Sequence, residues 1–438
     1  MNKFVTFSGL FPLTLLFACG EEADYSGASA PPTSVTTTPS RALPGDAAEA
    51  FKSLPPGSRV RDLAELAKMQ RFVAAAGDPR VFRGSIQIDA DVFDCVDVHL
   101  QHGFDRRIDV LSTPPEGGSP TPLIPGEAMA NLSYSAKSEH CEEGTVPRRR
   151  ITLNEMARFE KFDDYFARVP SHLRPQEEAP GAGPSSVHQY ATHYQPTPTN
   201  GAEAMLNVWS PSTELTSEFS LSQLWISGGH NVGETLQTVE AGWQVYPDKY
   251  GDGRARLFIY FTPDNYTSGG CYNVDCSAFV QVDNSVALGS HFASYSTANG
   301  AQLVSGYRIQ QNATGDWWVQ IAGTWLGFWP RSLFASPGLS DGGTRVTFGG
   351  EIIDNRTSDR HTQTDMGSGA FPSGGFGLAA YQRSMAFYQG LSAPKLTSVG
   401  GVASASGANC YDITTSTASD WGRYIFFGGP GYDPVNCF

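Results

Sequence analysis

The chain has 438 residues, 40% of them apolar and 12% aromatic, which is enough for two or three domains with buried cores. Its formal net charge of -14 argues against a general nucleic-acid-binding protein, because such a protein needs a basic face. The 47 glycines and 29 prolines, with only 17% charged residues, favour a turn-rich β protein over a helical bundle.

The first nineteen residues have the pattern of an export signal. Lys3 precedes an apolar run over residues 4–17, which is too short to span a membrane as a helix. The run leads into Ala18-Cys19-Gly20, which resembles a bacterial lipobox, so we predict that Cys19 carries a lipid anchor. An ordinary secretory signal with an incidental cysteine is the alternative. Either interpretation predicts an exported bacterial protein, anchored to the cell envelope or secreted after processing, with residues 20–50 as a flexible tether.

The six remaining cysteines are an even number, as expected in an oxidising compartment. Fifteen pairings are possible, and proximity in the sequence favours three local ones. The predicted disulfides are Cys95–Cys141, Cys271–Cys276 and Cys410–Cys437. A metal site is disfavoured, because the spacing of Cys271 and Cys276 and the lack of a nearby histidine cluster do not suit zinc.

The N-terminal part is the more highly charged one, with 44 charged residues among the first 185 and 30 among the last 253. We predict a smaller α+β domain over residues 51–170. It has amphipathic helices within 46–76 and 151–169, and strands over 81–100. Residues 171–186 are rich in proline and predict a linker that is open to proteolysis.

An acidic run in this domain alternates with apolar residues, which predicts a solvated strand face, with a calcium site as the less favoured alternative. The run consists of Asp89, Asp91, Asp94 and Asp97.

The remaining residues, 187–438, predict an all-β domain. Ten β-prone runs recur there, separated by Gly, Asn, Asp or Pro, and this spacing is typical of an antiparallel β-sandwich. The runs are 204–210, 219–227, 237–246, 255–262, 277–282, 302–311, 317–322, 344–351, 377–387 and 424–428. The sequence has no P-loop, GxSxG or HExxH motif, so the common nucleotide and hydrolase signatures are absent.

A series of motifs, in order along the chain, resembles the neprosin family. Those of the N-terminal domain resemble its activation peptide, and the later ones resemble its catalytic domain. They are 91–98, 141–148, 218–226, 238–247, 250–252, 270–276, 279–281, 315–318, 327–330, 348–351, 409–411, 421–422 and 428–431. Phe261 and Ala278 depart from the family pattern. The resemblance implies a sandwich of two antiparallel sheets and a glutamic endopeptidase made as a zymogen, with plant members that cleave after proline.

The resemblance also implies two catalytic glutamates, Glu240 and Glu351. Peptide hydrolysis by a carboxyl pair needs one ionised group to take a proton from water and one protonated group to activate the carbonyl and the leaving nitrogen. Two close carboxyls cannot both ionise cheaply, so such a pair works best at acidic pH. We therefore expect the two side chains to meet across the facing sheets; strand acids turned to solvent are the alternative. Gly349 and Gly350, which precede Glu351, are predicted to let the substrate backbone approach closely. A β-bulge at these two glycines is the alternative.

Three residues near Glu240 are weaker candidates for substrate binding. Gln244 lies on the same strand face by the period-two rule, so it is predicted to donate to the developing oxyanion. Trp243 and Tyr246 are predicted to line an apolar slot. A surface position for Gln244, and core packing for the two aromatic residues, are the alternatives.

These observations together predict an exported endopeptidase precursor that acts on polypeptides and needs no cofactor. Its N-terminal domain is expected to cover the cleft at neutral pH and to loosen on acidification, and its membrane contact is limited to the lipid anchor. Two other classes stay open. A lectin-like sandwich would bind without catalysis, and a glycosidase would use the same two carboxyls on sugars.

Overall fold

The structure is a computed structural model that describes residues 47–116, 121–135, 139–168, 188–229, 235–355, 360–391 and 394–437. The predicted signal peptide with Cys19 and the linker 171–186 lie outside these residues. Of the predicted tether, only the last four residues are described, and there the first helix begins. Within the described ranges, no helix has the length and apolar character needed to cross a membrane.

The helices are short, and strands make up most of the fold. The helices are α1 Ala47–Lys52, α2 Leu63–Ala76, α3 Leu153–Met156 and α4 Pro247–Tyr250. The strands are β1 Phe82–Ile88, β2 Asp91–Asp97, β3 Glu127–Met129, β4 Thr145–Arg149, β5 His188–Thr199, β6 Gly201–Asn207, β7 Ser220–Gly228, β8 Gln237–Val245, β9 Arg256–Thr262, β10 Cys271–Tyr272, β11 Val280–Gln281, β12 Gln302–Gln311, β13 Trp317–Ile321, β14 Thr324–Trp329, β15 Gly343–Ile353, β16 Ala380–Gln389, β17 Lys395–Ser398, β18 Val402–Ala405, β19 Asp412–Ala418 and β20 Gly422–Gly428.

The antiparallel β-sandwich predicted for the C-terminal part is confirmed. One sheet has seven strands in the order β10-β9-β8-β7-β15-β5-β18. The other follows β11-β14-β13-β12-β6-β16-β20-β19, with β17 added to β16 and β3 added to β12. A single apolar core joins them, with Leu224 and Ile259 from the first sheet and Ile309 and Val319 from the second.

Strand β5 is missing from the predicted runs, because Pro196 and Pro198 lie in it. Each proline lacks a backbone donor, so it belongs where no partner needs one. The neighbouring β18 pairs with β5 only from Ala191 to Tyr194, which leaves both prolines beyond that ladder.

The N-terminal region has a three-stranded sheet, β1-β2-β4, and the helices α1 to α3. The helix predicted within 46–76 is split into α1 and α2 by Pro55, Pro56 and Gly57. The predicted helix over 151–169 is wrong: it reduces to α3 and a 3₁₀ turn, Asp163–Tyr165. Tertiary hydrogen bonds replace the helical ones there, because the Ala157 carbonyl accepts from the backbone N–H groups of Arg59 and Val60.

The prediction of a solvated acidic face is correct for Asp89, which is 59% exposed, but wrong for Asp91 and Asp94. Those two are buried and paired with arginines. Asp94 pairs with Arg150, while Asp91 Oδ1 lies 3.1 Å from Arg149 Nε and its Oδ2 lies 2.8 Å from Arg256 Nη1. The last of these contacts joins the N-terminal region to the sandwich.

All three predicted disulfides are present. Cys95–Cys141 joins β2 to the segment before β4, Cys271–Cys276 closes a short loop after β10, and Cys410–Cys437 ties the C-terminus to the sandwich.

Candidate active site

Glu240 and Glu351 lie on one face of the same sheet. Glu240 on β8 is opposite Trp225 on β7, and Glu351 on β15 is opposite Leu221 on the same central strand. Trp225 and Leu221 are four residues apart, so the two glutamates share a face. The expectation that they meet across facing sheets is therefore wrong, because they converge over β7.

One row of paired residues, running across strands β8, β7 and β15, separates the two glutamates. Gln223, midway between Leu221 and Trp225 on β7, is flanked by Gly242 on one side and Gly349 on the other. Gly349 has φ +144°, and a Cβ there would lie 2.2 Å from the carbonyl oxygen of Ala191.

Replacing Gly349 by alanine is expected to destabilise the protein by roughly 3 kcal/mol, since the added methyl group meets backbone and the positive φ disfavours it. Thermal melting of the purified chain checks this. Gly253→Ala is the matched control, because nothing lies within 4 Å of a Cβ built there. Equal melting temperatures for the two variants would contradict the prediction.

An arginine from the N-terminal region joins the two carboxylates. Arg168 Nη2 lies 2.6 Å from Glu351 Oε2 and 3.2 Å from Glu240 Oε2. The side chains are 4% exposed for Arg168, 3% for Glu351 and 1% for Glu240, so water screens these contacts little. The guanidinium also packs at 5.3 to 5.7 Å from the ring centroids of Phe219, Phe258 and Tyr260.

Glu351 is held on both oxygens. Its Oε1 lies 2.5 Å from His188 Nδ1, and its Oε2 accepts from Gln223 Nε2 at 3.4 Å as well as from Arg168. Burial raises the pKa of the Glu351 carboxyl, but attraction to Arg168 and the contacts with His188 outweigh it and lower that pKa to about 2. Glu351 is therefore ionised in this arrangement.

Glu240 has a different environment, made of hydroxyl groups. Thr238 Oγ1 donates to Glu240 Oε1 at 2.8 Å, and Tyr266 OH donates to the same oxygen at 2.9 Å. Its Oε2 faces Arg168 without the alignment of a hydrogen bond. The carboxyl is thus oriented through one oxygen, and the other faces Glu351.

The weaker candidates are divided between the two faces of β8. Gln244 shares the face of Glu240, but its Nε2 donates to Tyr272 OH at 3.4 Å. Tyr246 follows on that face, covered by the N-terminal region through an edge contact with Phe159. Trp243 lies on the opposite face, in the core between the sheets, and its Nε1 donates to the Asn207 carbonyl. The slot predicted for Trp243 is therefore not formed by that side chain, which packs in the core.

The N-terminal region covers this face of the sheet. An apolar cluster contains residues of both parts, so the surface around the glutamates is closed to solvent. Its N-terminal members include Leu66, Met69, Met156, Phe159 and Tyr165, and its sandwich members include Phe219, Leu221, Tyr246, Phe258 and Tyr260.

His361 lies near Cys410 and Cys437 in a group with metal-ligand geometry. The two sulfurs are joined in a disulfide, so they offer no thiolate to a metal ion.

Residues 216–430 match the family model described as Neprosin. Among solved structures, scytalido-glutamic peptidase with a transition state analog inhibitor is similar at 12% identity and a TM-score of 0.27, covering 55% of this chain and 98% of that one. The tripeptide complex of SCP-B, a member of the eqolisin family of peptidases, is similar at 12% identity and a TM-score of 0.26, covering 55% of this chain and 96% of that one.

Proposed function

We propose that this chain, which contains a neprosin-family domain over residues 216–430, is a glutamic endopeptidase made as an inactive precursor. The observation that supports this most directly is the contact of one nitrogen, Arg168 Nη2, with both Glu240 and Glu351. The two carboxylate oxygens are therefore no further apart than the sum of those two contact distances. A water molecule in place of that nitrogen would touch both.

In the proposed reaction, Glu351 takes a proton from this water as the water attacks the peptide carbonyl. Glu240, oriented by Thr238 and Tyr266, supplies the proton that the leaving nitrogen needs. After Arg168 has left, two close buried carboxyls share the site, and holding one proton between them is cheaper than ionising both. This requirement supports activity at acidic pH.

The precursor form is proposed from the position of Arg168. Its guanidinium fills the space that the attacking water needs, and the N-terminal region covers the surrounding face of the sheet. Cleavage within the predicted linker 171–186, followed by departure of the N-terminal region, would open the site.

Acidification is expected to weaken the docking of the N-terminal region. Glu351 has a pKa lowered from its ordinary 4.5 to about 2. Burial raises the pKa of Asp91, but contacts with His291 and Arg256 of the sandwich outweigh it, so that pKa is lowered as well. Groups with lowered pKa values stabilise the docked form above their ordinary pKa and lose that effect as the pH falls. Docking should therefore weaken between about pH 4.5 and 2, by up to tenfold for each pH unit and each group.

Hydrogen exchange of the intact chain, corrected for the intrinsic effect of pH, measures this loss. Peptides from residues 151–168 should lose protection as the pH falls, while those from β12 in the other sheet should keep it. Protection of 151–168 that stays constant or increases would contradict the prediction.

Export, lipid attachment at Cys19 and cleavage after proline are further parts of the proposal. The three disulfides support an oxidising compartment. The aromatic rings around Arg168 would form an apolar slot beside the glutamates, a surface that suits a proline ring. Mass spectrometry of the mature N-terminus tests the lipid.

Mapping the peptides from casein digested at low pH tests both the activity and its preference. Products that end in proline would support the preference, and products with mixed ends would remove it. Release of sugar from glycosides with peptides left intact would instead indicate a glycosidase.

A further inference from the structure

We propose that His188 is a positioning residue for Glu351, which holds one carboxylate oxygen so that the other faces the attacking water. This inference rests on the proposed peptidase function and assigns a role to a residue outside the glutamate pair.

The contact geometry carries the inference. His188 Nδ1 lies 2.5 Å from Glu351 Oε1, and the two residues belong to neighbouring strands, β5 and β15. Because Glu351 is ionised, Nδ1 must carry the proton and donate it in this hydrogen bond. Such charge-assisted hydrogen bonds are short and directional, so this one restricts the carboxylate to one orientation.

Packing holds the imidazole itself in place. The ring lies parallel to that of Tyr190 at 6.1 Å between centroids, with an interplanar angle of 14°, and makes an edge contact with Phe219 at 5.9 Å. The side chain is 18% exposed against 3% for Glu351, so small solutes can approach the imidazole. Because Tyr190 and Phe219 hold the imidazole in place, it can orient the buried carboxylate of Glu351.

The two oxygens of Glu351 therefore have partners of different origin. Oε1 is bound by His188, which belongs to the sandwich, while Oε2 is bound by Arg168, which belongs to the N-terminal region. When that region leaves, Oε2 loses Arg168 and keeps the 3.4 Å contact with Gln223 Nε2, while Oε1 stays occupied by His188. The imidazole thus selects Oε2 as the base.

The charged and titratable groups around this pair come from three elements. Tyr190 lies directly opposite Glu351 in the β5–β15 ladder and interacts with its carboxyl, Arg168 approaches from the N-terminal region, and Glu240 faces it from β8. Of these, Arg168 leaves on activation. His188 stays as a donor on Oε1 that favours the ionised carboxylate, so we expect activation cleavage to occur before residue 188.

The test compares His188→Ala with His188→Asn in the full chain activated by acid. The asparagine amide retains a donor near the position of Nδ1, and alanine removes it. Any variant that does not release its N-terminal region is treated with immobilised wild-type enzyme, which is then removed. The readout is kcat/KM for a fluorogenic peptide from pH 2 to 7, with and without added imidazole.

His188→Ala should lower kcat/KM by about tenfold to a hundredfold, the range for loss of a group that orients a reacting ligand. The acidic limb of the variant's kcat/KM profile should move to higher pH by roughly one unit, because the pKa of Glu351 rises when the donor is lost. His188→Asn should keep most of the wild-type kcat/KM and acidic limb. Added imidazole should return most of both to His188→Ala. The control is His361→Ala, whose imidazole faces Asp354 instead, at 3.9 Å, and it should leave the profile unchanged.

Three results would overturn the inference. They are an unchanged acidic limb in His188→Ala, an equal loss in both His188 variants with no effect of imidazole, and a loss explained by a lower melting temperature. Glu351→Gln separates this from failure of the proposed function. If Glu351→Gln is inactive while His188→Ala matches the wild type, only the role of His188 is wrong; if Glu351→Gln keeps its activity, the peptidase assignment itself fails.

Discussion

Replacing Glu240 or Glu351 by glutamine should lower the rate of peptide hydrolysis by roughly 10²- to 10⁴-fold, the contribution of a general acid or base. Glutamine keeps the shape of the side chain but can neither take a proton from water nor supply one to the leaving nitrogen. Both residues lie on the same face of the sheet, on either side of the Gln223 row, so each replacement removes one half of a single catalytic pair. We expect the double variant to lose little beyond the worse single variant, because residues that act as a unit are not additive.

The measurement is kcat/KM on the activated enzyme, because in the precursor each replacement also changes the contact with Arg168. Glu203→Gln is the matched control. That glutamate lies on β6 of the other sheet and accepts a hydrogen bond from Tyr388 OH. Melting curves should show that all three variants fold. A folded variant of either site glutamate with wild-type activity would remove the assignment of that residue.

Replacing Arg168 by methionine should turn the intact precursor into an active, less tightly closed form. Methionine keeps an unbranched apolar stem like that of arginine but lacks the guanidinium, so it leaves Glu240 and Glu351 buried with no cation between them. Removing one partner of a buried ion pair costs about 3–5 kcal/mol, which corresponds to a loss of docking of roughly 10²- to 10⁴-fold. In the closed form the carboxyls would respond by taking up a proton, which limits this loss at acidic pH and leaves it largest near neutral pH.

This prediction is checked by the initial rate on a small peptide, measured before any cleaved chain is visible on a gel. Arg71→Met on helix α2 is the control, because Arg71 is exposed and belongs to the same region. The prediction fails if the Arg168→Met precursor is as inactive as the wild-type precursor. If the cleaved Glu351 variant is also inactive, the site assignment holds, and the N-terminal region blocks the site without the Arg168 contact.

Local features of the chain were predictable because they depend on neighbouring residues. The run 302–311 coincides with strand β12, since alternation and flanking turn residues act over a few positions. The disulfide pairs followed from proximity, which is also a local property. The long helix over 151–169 was wrong for the same reason. Its periodic apolar residues pack on the sheet, while hydrogen bonds from Arg59 and Val60 to Ala157 prevent a continuous helix.

The arrangement of the site depends on strand order, which no local pattern contains. Glu240 and Glu351 were expected on facing sheets, and it is the position of β7 between β8 and β15 that puts them on one face. Gln223 could be assigned to that face only once its partners, Gly242 and Gly349, were known.

The sequence by itself therefore determined the β-rich class and the disulfide pairs, because residue type and short-range spacing decide these. The two acidic candidates came from its resemblance to the neprosin family. Only the tertiary structure decided which groups surround the two carboxyls. Arg168 is 183 positions from Glu351 along the chain, and His188 is 163 positions from it. Contacts of such separation are selected by the packing of the whole molecule, in which a buried carboxylate must find a donor or a cation wherever the fold supplies one.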